Sequence, residues 1–236
     1  EFVRRLNDFV DFVPVCPEVE IGLGVPRDTI RLVAAADDET RLVQPSTGRD
    51  LTEQMKRFAR DFLDRLGPVD GFVLKAGSPS CGTSSVKVYQ SAERSPPVRR
   101  ESGMFAREVL ERFDSLAIED EGRLRNFPIR HHFLTRLFAL SDLRRLGERE
   151  PLKMAELVDF QRRYKHLLMV YNEEGMRRLG RIAANPEDRT GREVYEQYAP
   201  VFRQLLGEMP PRRRHVNAMM HMYGHFKERL SDAERR

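Results

Sequence analysis

The hydrophobic periodicity of this 236-residue chain changes once, near residue 127, and that change limits what the chain can fold into. Before it, short β-rich apolar runs at 10–15, 30–35, 41–44, 71–75 and 86–89 alternate with amphipathic stretches. Such alternation predicts an α/β domain, an open, mostly parallel sheet with flanking helices. The clearest helix is 51–66, with Leu51, Met55, Phe58, Phe62, Leu63 and Leu66 on one face, Asp50 or Thr52 as its cap and Gly67-Pro68 as its stop. Residues 91–102 read as a polar loop, followed by a helix at 103–113 and a strand at 116–118. From Phe127 onward the segments 129–146, 151–172, 173–184, 192–206 and 212–230 all carry helical spacing, and Pro151 and Pro211 suit first-turn positions. The chain is therefore expected to divide into an α/β domain at 1–125 and an all-α helical domain at 126–236.

Two cysteines sit where strands should end. Cys16 follows Phe12-Val13-Pro14-Val15, and Cys81 closes Lys75-Ala76-Gly77-Ser78-Pro79-Ser80 after the run Phe72-Val73-Leu74. In open α/β sheets ligands bind outside the carboxyl ends of strands, so both thiols occupy chemistry positions. The competing reading is a small buried hydrophobe, a common fate of free cysteine. A dithiol redox pair is disfavoured because neither residue belongs to a Cys-x-x-Cys. Zinc is disfavoured because paired ligands a few residues apart are missing and no histidine lies before His131. The same lack of histidine argues against a Cys-His hydrolase. What remains is a thiolate site assembled from separate strand ends. Glu18 is the nearest candidate acid or base, set against service as a helix N-terminal carboxylate. Ser78 and Ser80 are candidate hydrogen-bonding partners, set against turn and capping duty.

The formal net charge of +4 is unevenly spread: residues 1–125 carry 19 Lys+Arg against 22 Asp+Glu, and 126–236 carry 22 against 15. A basic half points to a polyanion partner, although solvated helix faces also collect arginine. Within it lie Arg130, His131, His132 and Arg136; then Arg162, Arg163, Tyr164 and Lys165; then Arg212, Arg213, Arg214 and His215; and finally Lys227. Basic side chains interleaved with aromatic rings can neutralise phosphates and stack on unpaired bases, as RNA binding requires. His221 and His225 share a helix face, but no Glu lies between them as in His-Glu-x-x-His, so packing or RNA contact is favoured over metal. No apolar run approaches the ~20 residues of a membrane-spanning helix, and two separated cysteines suit reduced thiols, so a cytoplasmic protein is expected.

Phe12-Val13-Pro14-Val15-Cys16-Pro17-Glu18, continuing to Gly24-Val25-Pro26-Arg27, and Leu74-Lys75-Ala76-Gly77-Ser78-Pro79-Ser80-Cys81-Gly82 resemble the internal signatures of the thiouracil desulfidase (TudS-like) family. Phe133-Leu134-Thr135-Arg136-Leu137-Phe138, Arg162-Arg163-Tyr164-Lys165 and His221-Met222-Tyr223-Gly224-His225-Phe226-Lys227 resemble the YbgA-like helical domain often fused after it. The resemblance implies a [4Fe-4S] cluster held by three cysteines. Cys16 and Cys81 match two of them, and the third, from a Cys-Leu-Leu-Gly signature, is expected upstream of residue 1, leaving the cluster incomplete within these residues. It further implies desulfidation of a thiolated uracil, above all 4-thiouridine in tRNA, giving uridine and sulfide. Glu18, Ser78 and Ser80 would be the catalytic groups, and the helical domain would hold the RNA. The alternatives are a desulfidase for free thiouracil whose helical domain is an interaction module, and a non-enzymatic iron-sulfur RNA-binding sensor.

Overall fold

The computed structural model describes residues 2–35, 39–185, 187–226, 230–231 and 234. The chain divides into two compact units, Glu1–Leu134 and Thr135–Arg236. The boundary expected from sequence lies just before a continuous helix, Phe127–Gly147, which runs through the division. Among the described residues no helix is long and apolar enough to cross a membrane.

The first unit begins with two short helices, α1 (Phe2–Leu6) and α2 (Pro17–Glu20). Its five-stranded sheet has the order β3-β2-β1-β5-β6, formed from β1 (Arg31–Ala34), β2 (Thr40–Gln44), β3 (Arg49–Asp50), β5 (Val86–Tyr89) and β6 (Pro97–Glu101). A second, two-stranded parallel sheet joins β4 (Gly71–Leu74) to β7 (Ala117–Asp120), with Leu74 opposite Asp120. The architecture is α/β, but the sheet is mixed rather than mostly parallel. Among the described residues only β1–β5 and β4–β7 run parallel, whereas β1–β2, β2–β3 and β5–β6 are antiparallel. Parallel pairs need a long crossover, and the connections from β1 to β2, β2 to β3 and β5 to β6 are too short to supply one.

Two segments depart from expectation. Residues 10–15 form no strand and leave Phe12 and Val13 exposed, so the run that reads as β by composition reaches Cys16 without a partner strand. The expected polar loop at 91–102 contains edge strand β6, which admits Pro97 at its first position because an edge strand can spare one donor.

Helix α3 (Thr52–Arg65) buries Met55, Ala59 and Leu63, one face at four-residue spacing, and its Phe58 stacks on Phe105 of α4 (Met104–Arg112) at 6.1 Å. Its N-cap is Leu51. The expected caps act beside it: the Asp50 carboxylate accepts the Thr52 N–H at 2.9 Å, and the Thr52 hydroxyl accepts the Leu42 N–H at 2.9 Å, pinning the helix to β2.

The described helices from 127 on are α5 (Phe127–Gly147), α6 (Met154–Tyr171), α7 (Glu173–Ala183), α8 (Gly191–Leu205) and α9 (Arg212–Phe226). In the second unit, Phe160, Tyr164, Tyr198 and Phe202 of α6 and α8 form one aromatic cluster, with Phe160–Tyr164 centroids 4.6 Å apart and Phe160–Phe202 centroids 5.2 Å apart. Pro151 lies before α6 and outside its first turn. Lys153 caps that helix, and its N–H is accepted by Glu156 at 3.1 Å. Pro211 directly precedes α9.

Candidate active site

Cys16 stands at the N-cap of α2, where its backbone carbonyl accepts the N–H groups of Val19 and Glu20, both at 3.0 Å. Pro17 occupies the first helical position, which suits a residue lacking a donor. The turn aims Glu18 at the loop that follows β4. There, the Ser78 and Ser80 hydroxyls both donate to Glu18 Oε1, at 3.1 and 3.0 Å. Ser78 Oγ in turn accepts the N–H groups of Ser80 and Cys81, each at 3.2 Å. Ser80 is fully buried. Residues sixty or more positions apart in sequence are thus gathered on one carboxylate oxygen.

The other oxygen belongs to Arg27, whose Nε donates to Glu18 Oε2 at 2.6 Å. Its Nη2 reaches Cys16 Sγ at 3.6 Å, and its Nη1 donates to the Gly24 carbonyl at 3.0 Å. The hydrogen bond to Glu18 raises the Arg27 pKa further, so the cation is permanent. Nothing local in the sequence gives Arg27 a role. Its only signal was the pairing of a basic residue with Glu18 across a Gly-Pro turn, and spacing alone does not distinguish that from a surface charge.

Three anchors hold the Cys81 loop. Gly77 takes φ +69°, a left-handed turn that permits the chain to double back after β4. At the end of β7, the Glu121 carboxylate accepts the Ala76 N–H at 2.6 Å and the Lys75 ammonium at 2.5 Å, while buried Asp120 accepts the Thr83 hydroxyl at 2.6 Å. On the other side, the start of α4 supplies donors: Gly103, Met104 and Ala106 N–H bind the carbonyls of Gly82, Pro79 and Ser80 at 2.7, 3.0 and 2.9 Å. Helix N-terminal N–H groups lack partners within their own helix, and here the loop satisfies them. Gly103 lies so close that an added Cβ would stand 2.5 Å from the Ser80 carbonyl carbon and oxygen.

Both thiols are free and half-buried. Cys81 also packs against the apolar core, so the small-hydrophobe reading describes one side of it. Burial, with the nearby negative charges of Glu18 and Cys16, pushes the Cys81 thiol up to about 12, against the opposing pull of the Ser78 hydrogen bond and Arg27. The chemistry of the donor set suits an iron-sulfur cluster, which is held by cysteine thiolates. The two thiols lie near one another beside a fixed cation and are the chain's complete cysteine complement, so they are the residues that would hold such a cluster. Among the described residues no set of three or more His, Cys, Asp or Glu could hold a metal ion.

The basic residues behave differently. Arg130 Nη1 donates to the carbonyls of Leu124 and Arg125 at 3.0 and 3.4 Å. His131 lies 6.1 Å from the Phe127 ring, His132 is half-buried, and half-buried Arg136 lies on the same helix. Arg162 pairs with Asp159 at 2.7 Å, and Arg163 pairs with Asp159 at 3.3 Å and Asp142 at 3.8 Å. The Tyr164 ring belongs to the aromatic cluster and its hydroxyl donates to Asp142 at 2.7 Å, so it is not a free stacking platform. Arg214 donates to the Tyr171 carbonyl and His215 is half-buried. Lys165, Arg212 and Arg213 are exposed. Lys227 lies outside the described residues, as does the His225 side chain.

A model of the 2-thiouracil desulfurase family matches residues 1–121, the segment that carries all of Cys16, Glu18, Arg27, Ser78, Ser80 and Cys81. The chain belongs to the 2-thiouracil desulfurase family. The family takes its name from the desulfuration of 2-thiouracil. Residues 165–236 match a second family, a protein family of unknown function, DUF1722. The chain is also similar to the uncharacterized protein YbgA of Escherichia coli strain K12, at 32% identity over 103 residues. That match covers 43% of this chain and 60% of the relative, so the chain spans less than two thirds of the relative's length. No solved structure matches.

Proposed function

We propose that this desulfurase hydrolyses the thiocarbonyl of 4-thiouridine in tRNA, with Glu18 as the proton acceptor. The observation that carries the reading is the convergence of Ser78, Ser80 and Arg27 on Glu18 beside both cysteines. A carboxylate offers about four acceptor sites. The serines fill those of Oε1 and Arg27 takes one on Oε2, which leaves one site on Oε2 to receive a water proton. Glu18 takes that proton as a C–O bond forms at the ring carbon. The second water proton passes to the sulfur as the C–S bond breaks, so the sulfur leaves as hydrosulfide with the bonding electron pair and the carbonyl of uridine remains. Carbon keeps its oxidation state, so no electron donor is needed. The Ser78 and Ser80 hydroxyls hold Glu18 in register with the Cys81 loop and help to exclude other acceptor geometries.

Cys16 and Cys81 would hold two corners of a [4Fe-4S] cluster, and a third cysteine would be needed to complete it. Such a cluster supplies a thiophilic Lewis acid for the departing sulfur. The RNA backbone would contact the basic second unit, where Arg212, Arg213 and Lys165 are exposed and cationic. The target base would have to leave its stack to reach the thiols.

A second reading, free thiouracil as substrate, is favoured by one set of observations. Arg162 and Arg163 are paired with carboxylates, and Arg130 and Arg214 with carbonyls, which reduces the cation available to phosphate. Full-length protein reconstituted anaerobically with iron and sulfide separates the two when given 2-thiouracil or thiolated tRNA. In Arg162→Glu/Arg212→Glu/Arg213→Glu, loss of tRNA turnover with 2-thiouracil turnover intact supports the tRNA enzyme. Equal retention of both supports the free-base reading.

A further inference from the structure

We infer that Arg27 is the positioning residue of this site: it decides where the remaining acceptor lone pair of Glu18 points. The inference deepens the proposed function and rests on it. Three contacts fix the guanidinium as a rigid bracket. One edge grips Glu18 Oε2 at 2.6 Å, one corner reaches Cys16 Sγ at 3.6 Å, and the remaining nitrogen is tied to the Gly24 carbonyl at 3.0 Å. A planar guanidinium holds its donors in a fixed fork, which an ammonium cannot do. The serines arrive from the Cys81 loop and Arg27 from the turn after α2, so Glu18 is clamped from both thiol-bearing segments at once. With Oε1 saturated by two hydroxyls, rotation of the carboxylate is blocked only as long as Arg27 holds Oε2.

Arg27 is bonded to the protein acceptors Glu18, Cys16 and Gly24, so its removal acts through Glu18 rather than through substrate affinity. Partners of this kind, one step removed from the reacting atoms, typically cost roughly 10–100-fold in activity when lost. We therefore expect Arg27→Gln to lower kcat by roughly 10–100-fold, with KM for 2-thiouracil unchanged, when rates are normalised to folded, iron-loaded protein. Arg27→Lys keeps a charge for Glu18 but cannot span to Cys16 and Gly24, and should recover part of kcat.

A second readout needs no turnover. In the full chain, the Arg27 Nε–H signal in 15N NMR should be protected from solvent exchange in the wild type and lose protection in Glu18→Gln. A raised KM with unchanged kcat would show substrate binding by Arg27 instead. An unprotected Nε–H in the wild type, or Arg27→Lys no better than Arg27→Gln, would also overturn the assignment. A wild-type protein inert towards 2-thiouracil and thiolated tRNA would sink the function, and the exchange measurement would still decide the bracket.

Discussion

Replacing Gly103 with alanine should disable the site from a distance. The new Cβ would stand 2.5 Å from the Ser80 carbonyl carbon and oxygen and 2.8 Å from the Cys81 nitrogen, all backbone atoms without a rotamer to yield. Reaching an ordinary contact of 3.4 Å requires a retreat of about 0.9 Å. The Ser80–Glu18 bond at 3.0 Å would then stretch beyond hydrogen-bonding range, and the Gly103–Gly82 bond at 2.7 Å would be strained. Overpacking costs about 1–3 kcal/mol and each lost hydrogen bond about 1 kcal/mol, so a total near 2–4 kcal/mol is expected from urea unfolding of the first unit. A displacement of about 1 Å at a reacting centre also costs roughly 100-fold in rate. Gly103 is the N-cap of α4, where Ala is a poorer cap than Gly and Ser a better one. Gly103→Ser therefore separates the causes: crowding predicts that it is as damaging as alanine, whereas a capping effect predicts that it is benign. Gly67→Ala, whose Cβ would meet nothing within 4 Å, is the control. A Gly103→Ala protein within about 0.5 kcal/mol of wild type and fully active would refute the reasoning.

The remaining predictions concern single groups. Glu18→Gln keeps the size of the side chain but removes the proton acceptor, and should lower kcat by roughly 10²–10⁴ with little change in folding, measured by 2-thiouracil turnover beside a thermal melt. In metal-free protein Cys81 is a neutral thiol at pH 8, because burial and the charges of Glu18 and Cys16 push it to about 12. Mass-mapped iodoacetamide labelling of Cys81 should be slow and rise about tenfold per pH unit to pH 10, and ready labelling at pH 8 would contradict this. The Glu121 pKa is lowered: burial acts upward, but the Lys75 ammonium and the Ala76 N–H outweigh it. A depressed carboxylate stabilises the fold above its unfolded pKa and loses that contribution as pH falls through the folded value. Glu121→Gln should thus melt lower than wild type at pH 7 and converge with it in acid; a pH-independent difference would count against the loop anchor.

The sequence was most legible where local chemistry and tertiary use coincide. Periodicity placed α3, α6 and α8, because one apolar face of each is buried in its own unit. The turn positions of Cys16 and Cys81, with Glu18, Ser78 and Ser80, could be named because Pro, Gly and Ser mark the turns that carry them, although only the Cys81 loop follows a strand. Pairing direction was less legible: β1 and β2 read as strands, but an apolar run does not reveal its neighbour. Residues 10–15 have strand composition without a strand, since hydrogen-bonded partners make a strand and composition does not. Arg27, Glu121 and Gly103 were silent for a related reason. Each acts through contacts to residues distant in the chain or across a turn, and none alters a local pattern. Tyr164 shows the converse, since an aromatic among basic residues reads as a stacking platform while its ring packs against Phe160 and Phe202.

The most direct test of hydrolytic desulfuration is the fate of oxygen and sulfur in one turnover. Anaerobically reconstituted full-length protein, given thiolated tRNA or 2-thiouracil in H2 18O, should release one sulfide for each thiocarbonyl lost and place one 18O in the uracil ring, with no reductant added. Loss of the thiocarbonyl without 18O in the product, or an absolute need for an electron donor, would contradict the account.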